Sequence, residues 1–162
     1  RTNTPIKEVK RVHPKTQKTS ISYRFFTRAV LQGFHHIWYK PVVNENGKTV
    51  YIKKLPKSIG CFFNETFLSL WFAGDGTKIV DAVGAKFEVT SFTVEERLLL
   101  KNLFLKKFNI KAVIISSGLS SAGNPQWALK IPANEYAKFR ELITKEDLIP
   151  KIFPYKLHKK VF

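Results

Sequence analysis

The apolar positions of this chain switch between a period of two and a period near 3.6. From Ser20 to Arg28, Ile21, Tyr23 and Phe25 alternate with Ser22, Arg24 and Phe26, which is the pattern of a strand. Over residues 30–40, Val30, Phe34, Ile37 and Trp38 fall at helical spacing, and Pro41 is expected to close that helix. Asn44-Glu45-Asn46-Gly47 is a turn signal, Val50 to Ile52 a short extended piece, and Lys53 to Lys57 a basic connector interrupted by Pro56. The first 20 residues are polar and basic, with a turn expected at 15–19.

From about residue 62 the pattern predicts a complete unit. A helix covers roughly 64–74, and strands at 78–83 and 86–92 meet near Gly84. Thr93-Val94-Glu95-Glu96 has the spacing of a capping box and opens a helix through Phe108. Strands follow at 111–117 and 126–131, separated by a Gly/Ser/Asn/Pro loop, and Pro132 stands at the favoured first position of a last helix. The order is αββαββα, an α+β fold with a four-stranded antiparallel sheet and helices on one face. Lys86, Glu88 and Thr90 oppose Phe87 and Val89, while Gln126, Ala128 and Lys130 oppose Trp127, Leu129 and Ile131. One sheet face is therefore greasy for the helices and the other polar and exposed. Lys78, Lys86, Glu88, Thr90, Ser116, Gln126 and Lys130 are the expected polar-face residues, with Arg24 and Arg28 on the upstream strand. Lys and Gln side chains can read base edges in a major groove.

The helix at 64–74 ends abruptly in Ala73-Gly74-Asp75-Gly76. A carboxylate at the tip of an apolar segment is costly if buried without a partner. Two explanations stand: Asp75 in a turn with Gly76 as the helix cap, or Asp75 as an oxygen ligand to a divalent metal ion.

Charge narrows the partners. The chain carries 28 Lys and Arg against 12 Asp and Glu, a net charge of +16. Residues 1–60 hold 13 basic and two acidic side chains, so the first third contributes +11 and the remainder +5. Such an excess points to a polyanion, and nucleic acid is favoured over an anionic membrane surface. Cys61 is alone, which excludes a disulfide framework within one chain, and beside Phe62 and Phe63 it is expected to be a small buried hydrophobe. No apolar run is long enough to span a bilayer. The chain begins at Arg1 and holds no Met, so we expect it to derive from a longer translation product. Lys outnumbers Arg 22 to 6, a bias that suits an AT-rich organelle genome.

Residues 64–162 resemble one full domain of the LAGLIDADG homing endonucleases. The resemblance rests on Trp71-Phe72-Ala73-Gly74-Asp75-Gly76, on Thr90-Ser91-Phe92-Thr93 followed by Glu95-Glu96, and on the closing Pro154-Tyr155-Lys156-Leu157. Ser22-Tyr23-Arg24-Phe25-Phe26-Thr27, the helix ending Trp38-Tyr39-Lys40 and the Lys54-Leu55-Pro56-Lys57 linker look like the end of a first half. The resemblance thus divides the chain into 1–60, the remnant of a first half, and 61–162, a complete domain. It implies two motif helices packed side by side, with Ala73 and Gly74 allowing close approach and each helix delivering one acid to a Mg²⁺ site. Asp75 is then the metal ligand, and Lys156 a catalytic base or phosphate clamp, or else a surface lysine at a helix end. The helix that should carry the second acid is absent, so a second half from another chain or a homodimer is expected. Two functions follow: a sequence-specific double-stranded DNA endonuclease, or a non-cleaving RNA-binding protein such as an intron maturase or ribonucleoprotein component. Either is expected in a mitochondrion or chloroplast.

Overall fold

The structure is a computed structural model and describes residues 5–24 and 32–158. In the first third, β1 (Lys7–Val12) pairs antiparallel with β2 (Thr19–Arg24). Helix α1 (Gln32–Trp38) leads directly into a second hairpin, β3 (Tyr39–Val43) and β4 (Thr49–Lys53). The sequence pattern misses β1 and β3. Lys7 to Val12 alternates charged residues with Val9 and lacks a greasy side. Pro41 does not close α1 but sits within β3 opposite Tyr51, tolerated because a two-stranded ribbon leaves each strand an open edge.

The remainder follows the predicted order. After a short turn, α2 (Ile59–Phe62), come α3 (Glu65–Asp75), β5 (Gly76–Lys78), β6 (Ala85–Glu88), α4 (Val94–Phe108), β7 (Val113–Leu119), β8 (Pro125–Ile131) and α5 (Ala133–Thr144). A π-helical turn at Leu148–Ile152 and a 3-10 turn at Pro154–Lys156 form the tail. The four strands make one antiparallel sheet in the order β5-β6-β8-β7. The first strand is shorter than its sequence pattern suggests: residues 79–83 form a loop, closed by Ile79 N–H donating to Gly84 C=O at 3.1 Å. Strands β7 and β8 instead run further into the loop, leaving a tight turn in which Ser120 N–H donates to Asn124 C=O at 2.8 Å. Pro132 is the residue before the last helix and not its first position.

Local chemistry sets the helix ends. Asn64 Oδ1 accepts from Phe67 N–H at 2.9 Å and starts α3. Thr93 and Glu96 close the expected capping box on α4, and Glu96 Oε1 also accepts from Leu55 N–H at 2.7 Å. One carboxylate thereby ties the linker to α4. The core lies between the sheet and the helices. Phe72 from α3 meets Phe87 of β6 at 5.5 Å and Phe139 of α5 at 5.2 Å between ring centroids, near-perpendicular in both cases, the favoured edge-to-face arrangement. Leu55 and Ile59 join this core from the first 60 residues. Among the described residues no helix is long and apolar enough to cross a membrane. Cys61 is exposed, contrary to the expectation of burial, because the short α2 turns Ile59 inward and leaves Cys61 and Phe62 outside.

Candidate metal and nucleic-acid site

Helix α3 enters the core by its apolar side. Leu68, Ser69 and Phe72 are buried, and the Ser69 hydroxyl is satisfied by Ile143 C=O at 3.4 Å. The helix ends without a left-handed cap: Gly76 has φ −83° and ψ 150°, ordinary extended backbone. Glycine is required there for a different reason. A Cβ at Gly76 would stand 2.0 Å from Phe72 Cδ2 and 2.7 Å from Phe72 Cα. Gly76 thus lets β5 leave directly across the last turn of α3, and Asp75 is the last helical residue before the sheet edge.

The Asp75 carboxylate is about half exposed, with its side chain at 47% of full accessibility, and Oδ2 lies 3.7 Å from Lys53 Nζ. Lys53 is the residue that sequence reading missed. It closes β4 and reaches a partner 22 positions later only through tertiary packing, so no local pattern marks it. Lys156 lies on the other side of the helix end. Its Nζ donates to Ala73 C=O at 2.7 Å, Gly76 C=O at 2.8 Å and Phe72 C=O at 3.1 Å, with Gly74 C=O at 3.5 Å. Burial pushes its pKa below the ordinary lysine range, against the opposing pull of the Asp75 charge.

A Mg²⁺ ion needs hard oxygens and is held by one or two carboxylates besides water and phosphate. Asp75 is one such donor, accessible and at the end of a rigid helix. Among the described residues no cluster of three His, Cys, Asp or Glu surrounds it. One carboxylate donor therefore fits such an ion here, and Lys53 is its resident counter-ion. Asp81 is exposed in the 79–83 loop. Two of the four histidines are engaged locally. His13 Nδ1 accepts from Lys15 and Thr16 N–H at 3.3 and 3.2 Å, and His35 stacks on Tyr39 at 4.7 Å.

The sheet's outer face differs in part from the sequence expectation. Residues directly opposed across strands share a face. The register pairs Thr77 with Lys86, Lys86 with Lys130, and Glu88 with Ala128, so these lie together, with Val113 and Ile115 from β7. Lys78 does not belong to the set. The register pairs it with buried Ala85 on the helix side, and its Nζ donates to Leu157 C=O at 3.4 Å. Ser116 likewise pairs with Trp127 on the helix side, next to the irregularity between Ser116 and Gly118. Gln126 remains on the outer face opposite Gly118. Thr90 is committed locally: its hydroxyl binds the Glu88 carboxylate and accepts from Trp127 N–H at 2.7 Å. Arg28 lies outside the described residues, and Arg24 is placed only by its register opposite Lys7.

Lys86 and Lys130 face each other in the two central strands, and neither joins an ion pair among the described residues. Like charges directly opposed cost stability, which an anion lying over them would recover. Along α3, Trp38, Lys53, Phe67, Leu70 and Trp71 line an apolar groove with Leu55, Phe92 and Leu100. Leu70 is 59% exposed there, and nothing stands within 4 Å of where a Cβ at Gly74 would be.

A helix ending in an accessible acid, set against a four-stranded sheet with a basic outer face, is the architecture of the LAGLIDADG proteins. The model of the LAGLIDADG DNA endonuclease family matches residues 2–139, and the chain belongs to that family. The homing endonuclease I-WcaI, solved bound to its DNA recognition sequence, shares the fold with TM-score 0.70 and 22% identity, over 98% of this chain and 66% of that chain. This chain therefore spans somewhat less than two thirds of the I-WcaI chain. No curated protein sequence matches it.

Proposed function

We propose that this chain is one part of a homing-type, sequence-specific endonuclease for double-stranded DNA, acting in an organelle. The observation that carries this reading is the accessible Asp75 carboxylate at the end of the buried motif helix, one residue before the sheet. Lys86 and Lys130 would meet phosphates or base edges, and Gln126 could read a base beside them. I-WcaI, with the same fold, is bound to its DNA recognition sequence, which supports duplex DNA as the partner. Bound Mg²⁺ would activate water and stabilise the leaving oxygen of a phosphodiester. Asp75 would be its ligand from this chain; the second acid would come from another polypeptide or a second copy. The groove beside Leu70 and Gly74 supports a helix docking there. Within this reading residues 1–60 remain the end of a first half, and 61–162 the complete domain.

The shortage of acids favours one other reading: a member of the family that binds structured RNA without cutting. The deciding experiment incubates long duplex DNA with Mg²⁺ and either the wild-type chain or Asp75→Asn, alone and with a complementing half. Cleavage that Asp75→Asn abolishes supports the endonuclease. RNA binding that survives the substitution, with no cut in any duplex, supports the second reading.

A further inference from the structure

We propose that Lys156 is a positioning residue, whose ammonium holds the last carbonyls of α3 and so fixes where Asp75 stands relative to the sheet. This rests on the reading of Asp75 as the metal ligand. An ammonium has three N–H donors and no acceptor. The carbonyls of Ala73, Gly76 and Phe72, at 2.7, 2.8 and 3.1 Å, take all three. A phosphate clamp needs a donor to spare, and a base needs a free lone pair towards substrate; this nitrogen offers neither. What it does offer is a cation at the negative end of a helix, where Phe72 C=O still accepts from Gly76 N–H but the carbonyls after it are left by the helix to other donors. The Gly76 contact matters most for position, since Gly76 already belongs to β5. One nitrogen bonded on both sides of Asp75 ties helix and strand together across that residue.

The nitrogen is delivered by a tail that is anchored independently. Lys78 Nζ donates to Leu157 C=O at 3.4 Å, and His158 N–H donates to the Tyr136 hydroxyl at 3.1 Å. His158 Nε2 also lies 2.9 Å from Gly84 C=O, on the far side of the 79–83 loop. The aliphatic stem carries Nζ over the Phe72 and Phe153 rings, 5.9 and 5.6 Å from their centroids. Residues 153–158 therefore act as a strap across α5, the β5–β6 loop and the end of α3.

The test compares Lys156→Met, which keeps the stem and removes the cation, with Lys156→Arg, which keeps the cation. Amide hydrogen exchange is read at residues 73–78, with α4 as internal reference, and duplex DNA affinity is read alongside. In Lys156→Met we expect exchange at 73–78 to rise by about tenfold or more, as lost charge-assisted bonds predict, with α4 unchanged. We expect Lys156→Arg to restore most of the protection, and DNA affinity to stay near wild type in both. Unchanged exchange in Lys156→Met, an equal rise in both variants, or a rise shared by α4 overturns the proposal. So does a loss of DNA affinity matching that of Lys86→Ala, which would make Lys156 a phosphate contact. Exchange is measured without metal or DNA, so failure here is distinct from failure of the endonuclease reading.

Discussion

Replacing Gly76 by alanine probes the junction that places Asp75. The backbone at Gly76 is extended, with φ −83°, so an L-residue incurs no conformational strain and the cost is purely one of space. The new methyl carbon would begin 2.0 Å from Phe72 Cδ2 and 2.7 Å from Phe72 Cα. Turning the ring relieves the first contact only against Phe87 and Phe139, which pack on it in the core. The second contact is with backbone, and only displacing β5 from α3 relieves it. Overpacking of this kind costs about 1–3 kcal/mol, occasionally more, and a backbone clash belongs at the upper end, about 3 kcal/mol. For a chain of this size that lowers Tm by roughly 6–12 °C. Thermal unfolding followed by circular dichroism measures it, with Gly74→Ala as control. Gly74 lies inside α3 with open space around it, so alanine there should be neutral or stabilising by up to about 1 kcal/mol. Equal Tm values for Gly76→Ala and wild type, or equal losses at both glycines, would refute the packing argument.

Other consequences follow from the same geometry. Replacing both Lys86 and Lys130 by alanine should weaken duplex binding and flatten the plot of log affinity against log salt by roughly 0.9 per lost phosphate contact, as measured by fluorescence anisotropy across a salt series. Thr93→Ala removes the side-chain half of the α4 capping box and should cost about 1 kcal/mol in urea unfolding; the Leu55 bond to Glu96 is left intact. Tyr136 is fully buried, and desolvation holds its pKa above the ordinary tyrosine value. Its folded-state pKa is thus the higher one, so its contribution to stability is complete below about pH 10 and is lost as pH rises through the folded value. Denaturation midpoints taken from pH 9 upward should fall less steeply in Tyr136→Phe than in wild type.

The unit from α3 to α5 was legible because its signals are local. Asn64 and Thr93 cap helices through residues three positions away, and Phe87 and Val89 against Lys86 and Glu88 name the buried face of a strand. The errors arose where local pattern says nothing about pairing. Strand β5 starts two residues earlier than its apolar run suggests, and its pairing register, which local pattern does not reveal, puts Lys78 opposite Ala85 on the helix side and Thr77 opposite Lys86 on the outer face. The irregularity between Ser116 and Gly118 breaks the parity of β7, as bulges do. Strand β1 was invisible because all but one of its residues are exposed, leaving no alternation to read. At the site, Asp75 was legible from the motif that ends α3. Lys53 was not, since its approach to Asp75 depends on how the β3–β4 hairpin folds against the domain. The motif likewise drew attention to Lys156, but only the folded chain shows that three carbonyls accept its hydrogen bonds.

The proposed function makes Asp75 one acid of a site shared with a second chain on duplex DNA. The most direct test is the mass of the species that cuts, measured by native mass spectrometry on duplex DNA complexes under Mg²⁺. The account predicts that an isolated 18.7 kDa chain binds the duplex without cutting it, and that any cleaving complex contains a second copy or a further polypeptide. Cleavage by a complex holding a single copy and no other polypeptide would contradict it.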